Sequence, residues 1–187
     1  MEQDLLVSVD FLGRSKQFSL CAFVGVCYAR NVAKVFTIGY AGIQLPKFIE
    51  VLQQNVVTVL IDVRSVPKSG YFTDYNDDVL SQELAQQNIR YFHCREFGAR
   101  QLDYKYATIA NSEPFQKIIK RLNDSDKTVC LMCSEIDPIN CHRFILVGRY
   151  LNNVINIIAK RNGEVLYETK AETEKRINGD YDKQGAK

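Results

Sequence analysis

The chain has 187 residues, a net charge of +2, 46% hydrophobic and 25% charged residues. This is enough for one ordinary globular domain with its own core. It gives neither the global basic field of a nucleic-acid binder nor the acidic excess of a disordered chain. The six cysteines are too few and too irregular for a secreted disulfide scaffold, and they read as free thiols in a reducing cytosol.

Phe18–Ala29 is an apolar stretch that follows Arg14 and Lys16. It is too short to span a bilayer. It has the look of a signal-peptide core, but the region before it is long and carries Glu2, Asp4 and Asp10. Residues 1–34 are read as an N-terminal extension ahead of a single domain over 35–168. Residues 169–187 are read as a polar tail that frays. The expected localisation is cytoplasmic, with no membrane partner.

From Val35 the chain alternates strand-like and helix-like segments. VFTIG (35–39) is a short buried strand ending at a glycine. Leu45, Phe48, Ile49 and Leu52 fall at helical spacing. VTVLIDV (57–63) is β-branched and almost wholly apolar, the signature of a strand buried on both faces. A loop follows over 65–76, then a helix over 77–87 with Leu80 and Leu84. IRYFHC (89–94) is the third strand, and Gly98 marks a second loop. Ser112 caps a helix to Leu122, with Pro114 in its first turn. TVCLMC (128–133) is the fourth strand. Asp137-Pro138 starts a helix that runs to about Asn152. VINIIAK and EVLYET, separated by Arg161-Asn162-Gly163, form a hairpin. The pattern predicts a compact three-layer α/β domain: a mostly parallel central sheet with helices on both faces. In such sheets ligands bind beyond the carboxyl ends of the strands. That rule selects the loops carrying DVR, HCREFGAR and CSEIDPINCHR.

Cys133 ends a strand, and Cys141 is expected in the first turn of the next helix, where partial positive charge favours a thiolate. His142 and Arg143 add charge beside it. The functional reading is a thiol of lowered pKa next to an acid/base histidine. The alternative is a pair of small buried thiols packed as hydrophobes. Cys130 is three residues from Cys133 and points to the opposite face of the strand. Cys133, Cys141, His142 and His93 offer soft ligands to zinc, although their spacing matches no standard finger. A Cys133–Cys141 disulfide is a third possibility.

Asp62 and Arg64 leave their strand on one face. Either Arg64 grips a phosphate or carboxylate with its fork, or the two form an internal salt bridge that orders the loop. Arg100 on the glycine loop is either a ligand contact or a surface charge. Glu135 either holds His142 or Arg143 or faces solvent. Tyr71, Phe72 and Tyr75 form an aromatic loop that covers a ring or caps a core edge.

FTIGYAG, LIDVRSVPKS, EFGAR and LMCSEIDPINCHR occur in this order. Together they resemble the domain-of-unknown-function family DUF488, from about Val35 to about Glu168. The resemblance implies an α/β domain and signature positions at Gly39, Asp62, Arg64, Pro67, Ser69, Gly98, Arg100, Cys133, Glu135, Pro138, Cys141, His142 and Arg143. It implies no reaction. The chain departs from many relatives at Gly70, where they carry a basic residue, and over 154–157, where they carry a histidine.

The leading expectation is a thiol-dependent enzyme acting on an anionic, phosphate- or nucleotide-containing substrate. Cys133 or Cys141 is the nucleophile, His142 the acid/base, and Asp62 or Glu135 its orienter. Arg64, Ser69, Arg100 and Arg143 bind the substrate. A simple cysteine phosphatase is disfavoured, because SEIDPIN has no glycine and carries two acids. The alternative is a non-catalytic metal- or nucleic-acid-binding regulatory module. The blandest reading is an assembly protein whose polar cluster only stiffens loops. Cofactor and oligomeric state are not specified by the sequence.

Overall fold

Six strands form one sheet in the order β3-β2-β4-β1-β5-β6. They are β1 (Val35–Gly39), β2 (Val59–Asp62), β3 (Arg90–His93), β4 (Val129–Cys133), β5 (Val154–Ala159) and β6 (Val165–Thr169). The computed structural model describes residues 34–99 and 103–184. The reading of residues 1–34 as an extension therefore lies outside the described residues save for residue 34, and Arg100 lies outside them too.

All neighbouring strands run parallel except β6, which pairs antiparallel with β5 through the expected hairpin. Its turn uses Gly163 at φ 86°, a left-handed conformation that glycine adopts without a Cβ penalty. The central strands β1, β2 and β4 are buried at every position, as their unbroken apolar runs require.

Alternate strand residues serve opposite faces. Phe36, Ile38, Leu60, Cys130 and Met132 share one cluster with Phe48, Val51 and Leu52 of helix α1 (Leu45–Gln54) and Leu80 and Leu84 of α2 (Asp77–Gln86). Residues of the other parity, including Thr37 and Cys133, face the second layer. Arg143 reaches Thr37 there, with Nε 3.2 Å from Oγ1. Two further helices follow β3: α3 (Asp103–Ala110) and α4 (Glu113–Asn123). Phe115 of α4 packs edge-on against Phe97 and Tyr150. The α/β architecture expected from the alternation is the one observed.

Three local expectations are corrected. The helix from Asp137 to about Asn152 is broken into pieces. Asp137 does cap, accepting from the Ile139 amide, but the turn Pro138–Asn140 ends because Cys141 is extended (φ −127°, ψ 135°). A π-helical segment Arg143–Val147 and a short turn Gly148–Tyr150 follow. Helix α3 was not expected; its sequence DYKYATIA carries only a weak apolar stripe. Residues 170–184 are helical (α5, Lys170–Gln184) rather than frayed. Its anchors are mostly polar, so an apolar period could not reveal it. Thr173 is buried and takes a hydrogen bond from Asn156 Nδ2, while Arg176 pairs with Glu168 and Asp137.

The connection leaving β2 leads to β3 on one side, and the connection leaving β4 leads toward β5 on the other. Asp62 and Met132 pair near the ends of these two strands, so the outgoing loops diverge from adjacent strands. This is the topological switch point, where open α/β sheets place their ligand crevice. Among the described residues no helix is long and apolar enough to cross a membrane.

Candidate functional site

The loop after β4 folds tightly over the end of β1. A Cβ on Gly39 would lie 1.7 Å from the Glu135 carbonyl oxygen, so only glycine permits this crossing. Arg143 holds the loop from below. It is 0% exposed. Its Nη1 donates to the Glu135 carbonyl, its Nη2 donates to the Ile136 carbonyl at 2.8 Å, and its Nε donates to Thr37. Every one of these acceptors is neutral. Arg143 is thus a fully buried cation with no carboxylate partner among the described residues. Burying such a charge is costly unless an anion compensates it.

The nearest candidate for that anion is a thiolate. The donor atoms of Cys133, Cys141 and His142 all lie within 4.8 Å of one another. Both thiols are buried. His142 Nε2 is 2.7 Å from the Val63 carbonyl oxygen. A carbonyl can only accept, so Nε2 carries the proton and Nδ1 faces the sulfurs, 4.0 Å from Cys133 Sγ. A hydrogen bond from Cys133 lowers the Cys141 pKa well below the ordinary thiol value, against the opposing effect of burial, and the charges of Arg143 and His142 lower it further. Cys133 shifts the other way: its hydrogen bond to Cys141 and its own burial hold it as a thiol. Burial works against a charged His142, but hydrogen bonding and attraction to Cys141 outweigh it and raise its pKa. The cluster therefore favours a Cys141 thiolate, a neutral Cys133 and an imidazolium. The same three atoms form the one group among the described residues with the geometry to hold a metal ion.

Asp62 and Arg64 meet as expected, but in a separate network on the α1/α2 side. Arg64 Nε donates to Asp62 Oδ1 at 2.9 Å and Nη2 donates to Oδ2 at 2.6 Å. Tyr91 donates to Oδ2 at 2.7 Å. The remaining Arg64 donors go to Tyr40 Oη at 3.1 Å, to the Tyr75 carbonyl at 2.7 Å and to the Pro67 carbonyl at 3.3 Å. This is the internal salt bridge that orders the following loop. Asp62 is occupied by Arg64 and Tyr91 and does not orient His142; Val63 does that.

Glu135 is solvent-facing, and its carboxylate accepts from the Ile136 amide at 3.0 Å; only its backbone carbonyl serves Arg143. His93 stands apart from the thiols, with Nε2 2.7 Å from the Arg64 carbonyl oxygen. Ser69 shapes its own loop: Oγ accepts from the amides of Tyr71 and Phe72 at 3.3 and 3.1 Å. Cys130 lies on the opposite face from Cys133, as the strand period requires, and burial raises its pKa. Burial likewise pushes Cys94 up to about 12.

Sequence reasoning missed Tyr40, Tyr91, Thr37 and the Val63 carbonyl. Tyr40 had a usable signal, since it directly follows the glycine that ends β1. Tyr91 had a weaker one: a hydroxyl within a strand, where a buried carboxylate on the next strand can meet it.

The family model described as "Domain of unknown function DUF488" matches residues 44–150, more than half of the chain. The match covers the three later motifs and begins after FTIGYAG. No curated protein and no solved structure matches the chain.

Proposed function

The chain belongs to the DUF488 family, and we propose that it is a thiol-dependent enzyme whose nucleophile is the Cys141 thiolate. The observation that carries this reading is Arg143, buried without a carboxylate partner beside a thiol held against a second thiol and a histidine. A positive environment of this kind is what lowers a thiol pKa and makes it reactive. Cys141 Sγ supplies the electron pair for a bond to an electrophilic centre, and the bond to the leaving group breaks. The leaving group takes the Nδ1 proton of His142. Water, deprotonated by the neutral imidazole, then cleaves the bond to sulfur and restores thiolate and imidazolium. Cys133 donates a hydrogen bond to the thiolate. Arg143 and Arg64 hold the walls rather than grip the substrate.

The substrate class we assign is anionic, phosphate- or nucleotide-containing. The positive charges of Arg143 and His142 around Cys141 support it. The test is alkylation rate against pH, resolved for each cysteine by mass spectrometry, on protein as purified and after chelation. The expected result is a Cys141 that reacts well below the ordinary thiol pKa of about 8.5 in both preparations, with Cys94 and Cys130 inert. Cys141 remaining inert in both would end this reading.

A second reading rests on the same three ligand atoms. With Nε2 of His142 fixed on a carbonyl, as metal-ligating histidines usually are, the cluster fits a soft divalent cation such as zinc. The chain would then be a metal-binding regulatory module. Protection of Cys133 and Cys141 that chelation removes would select it.

A further inference from the structure

A cleft of about 580 Å³ opens on the same edge of the sheet, between the loop leaving β1, the loop 65–76 and the β5–β6 turn. That volume lies within the range of small-molecule sites. Its lining does not include Cys133, Cys141 or His142. We propose that this cleft binds a 5′-nucleotide, a proposal that does not rest on the thiol reading.

The first support is the aromatic wall. Tyr71 is 97% exposed and Phe72 is 39% exposed. Exposed rings of this size are unfavourable in water unless something covers them. The loop that presents them is tightly fastened. Ser69 Oγ accepts from both their amides, and the Ser69 amide donates to Asn76 Oδ1 at 2.6 Å. Arg64 donates to the carbonyls at both ends of the segment, Pro67 and Tyr75, and the Asp77 amide donates back to Pro67 at 3.0 Å. Beneath the rings Tyr75 is stacked on Tyr40 at 4.2 Å, and Phe72 meets Tyr40 edge-on at 5.5 Å. A floor and a raised aromatic edge of this kind suit a flat ring.

The second support is charge. Arg161 of the β5–β6 turn lines the cleft, is exposed, and has no ion-pair partner among the described residues. Lys47, in the first turn of α1, lines it too; its bond to Glu50 at 2.8 Å is a surface pair that a phosphate can displace. Asp74 is the acid in the lining. It opposes a bare polyanion, but it is the group a ribose diol needs as an acceptor. Aromatic rings, an acid and two cations in one cleft therefore match base, ribose and phosphate together. The low net charge of the chain and the acid in this cleft favour a mononucleotide over a polynucleotide track.

The test is calorimetric titration of the full-length chain with AMP. Saturable binding is expected, weaker by about tenfold or more in Tyr71→Ala and in Arg161→Ala, the loss of one stacking or one charged contact. Adenosine should bind at least about tenfold less tightly than AMP for the same reason. Cys141→Ser should bind AMP as the unaltered chain does, which separates this proposal from the thiol reading. Tyr71 and Arg161 are exposed, so both variants should fold, and circular dichroism checks it. The proposal is overturned if AMP gives no saturable binding, if adenosine equals AMP, or if either variant binds unchanged. Tighter binding of a single-stranded hexanucleotide than of AMP would also overturn it, in favour of a nucleic-acid surface.

Discussion

Two buried arginines stand on opposite faces of the same sheet edge, and they differ in one respect. Arg64 has a carboxylate: Asp62 takes two of its donors, with Tyr91 completing the acceptor. Arg143 has only neutral oxygens. A paired guanidinium exerts little field beyond its partner, and its network is closed. An unpaired one in a low-dielectric setting acts on whatever titratable group lies near. Beside Arg143 that group is Cys141. The same residue type thus builds a structural brace on one face and a reactive thiol environment on the other.

The comparison can be broken from either side. The largest effect is expected on the closed side. Asp62→Ala leaves Arg64 buried without its anion and should cost about 3–5 kcal/mol of stability, read by chemical denaturation, while Cys141 keeps its low-pH reactivity in whatever fraction remains folded. On the open side, Arg143→Gln should slow Cys141 alkylation by about tenfold or more at pH below the Cys141 midpoint, since there each unit of thiol pKa is worth a factor of ten in thiolate. If the Arg143 charge is irrelevant, that rate will not move.

The pH dependence of stability sharpens the contrast. Cys141 has a depressed folded pKa, so its contribution is fully present above its unfolded value of about 8.5 and is lost as pH falls through the folded value. His142 has a raised folded pKa, so its contribution is fully present below about 6.5 and is lost as pH rises through the folded value. The stability difference between the unaltered chain and Cys141→Ala should therefore be greatest near neutral pH and shrink below about 6.5. A flat difference across that range would remove the ion pair from the account. The smallest expected effect is Tyr91→Phe, about 1–2 kcal/mol for one hydrogen bond to a carboxylate that keeps Arg64, with no change in thiol reactivity.

Much of this frame was readable in the chain. The β-branched runs gave the strands, and Asp62 and Arg64, two residues apart where the chain leaves its strand, were expected on one face. Cys133 and Cys141 both fall at one ligand-binding edge of the sheet, but a strand end and the segment after it do not by themselves bring the two sulfurs together. What the two arginines do was not readable, because their partners come from distant segments: Tyr91 and Tyr40 for one network, Thr37 for the other. The partners of Arg143 are largely backbone carbonyls, which carry no mark in a sequence. The break at Cys141 was hidden for a related reason. Asp137 and Pro138 are a sound helix start, and nothing local announces that the residue four positions on will be extended.

The most direct measurement is the ultraviolet absorbance of thiolate as a function of pH, taken as the difference between the unaltered chain and Cys141→Ala. The expected result is a single titration with its midpoint well below about 8.5, shifted upward in Arg143→Gln. A midpoint at or above that value, unmoved by the loss of Arg143, would contradict the claim that this buried guanidinium sustains a thiolate.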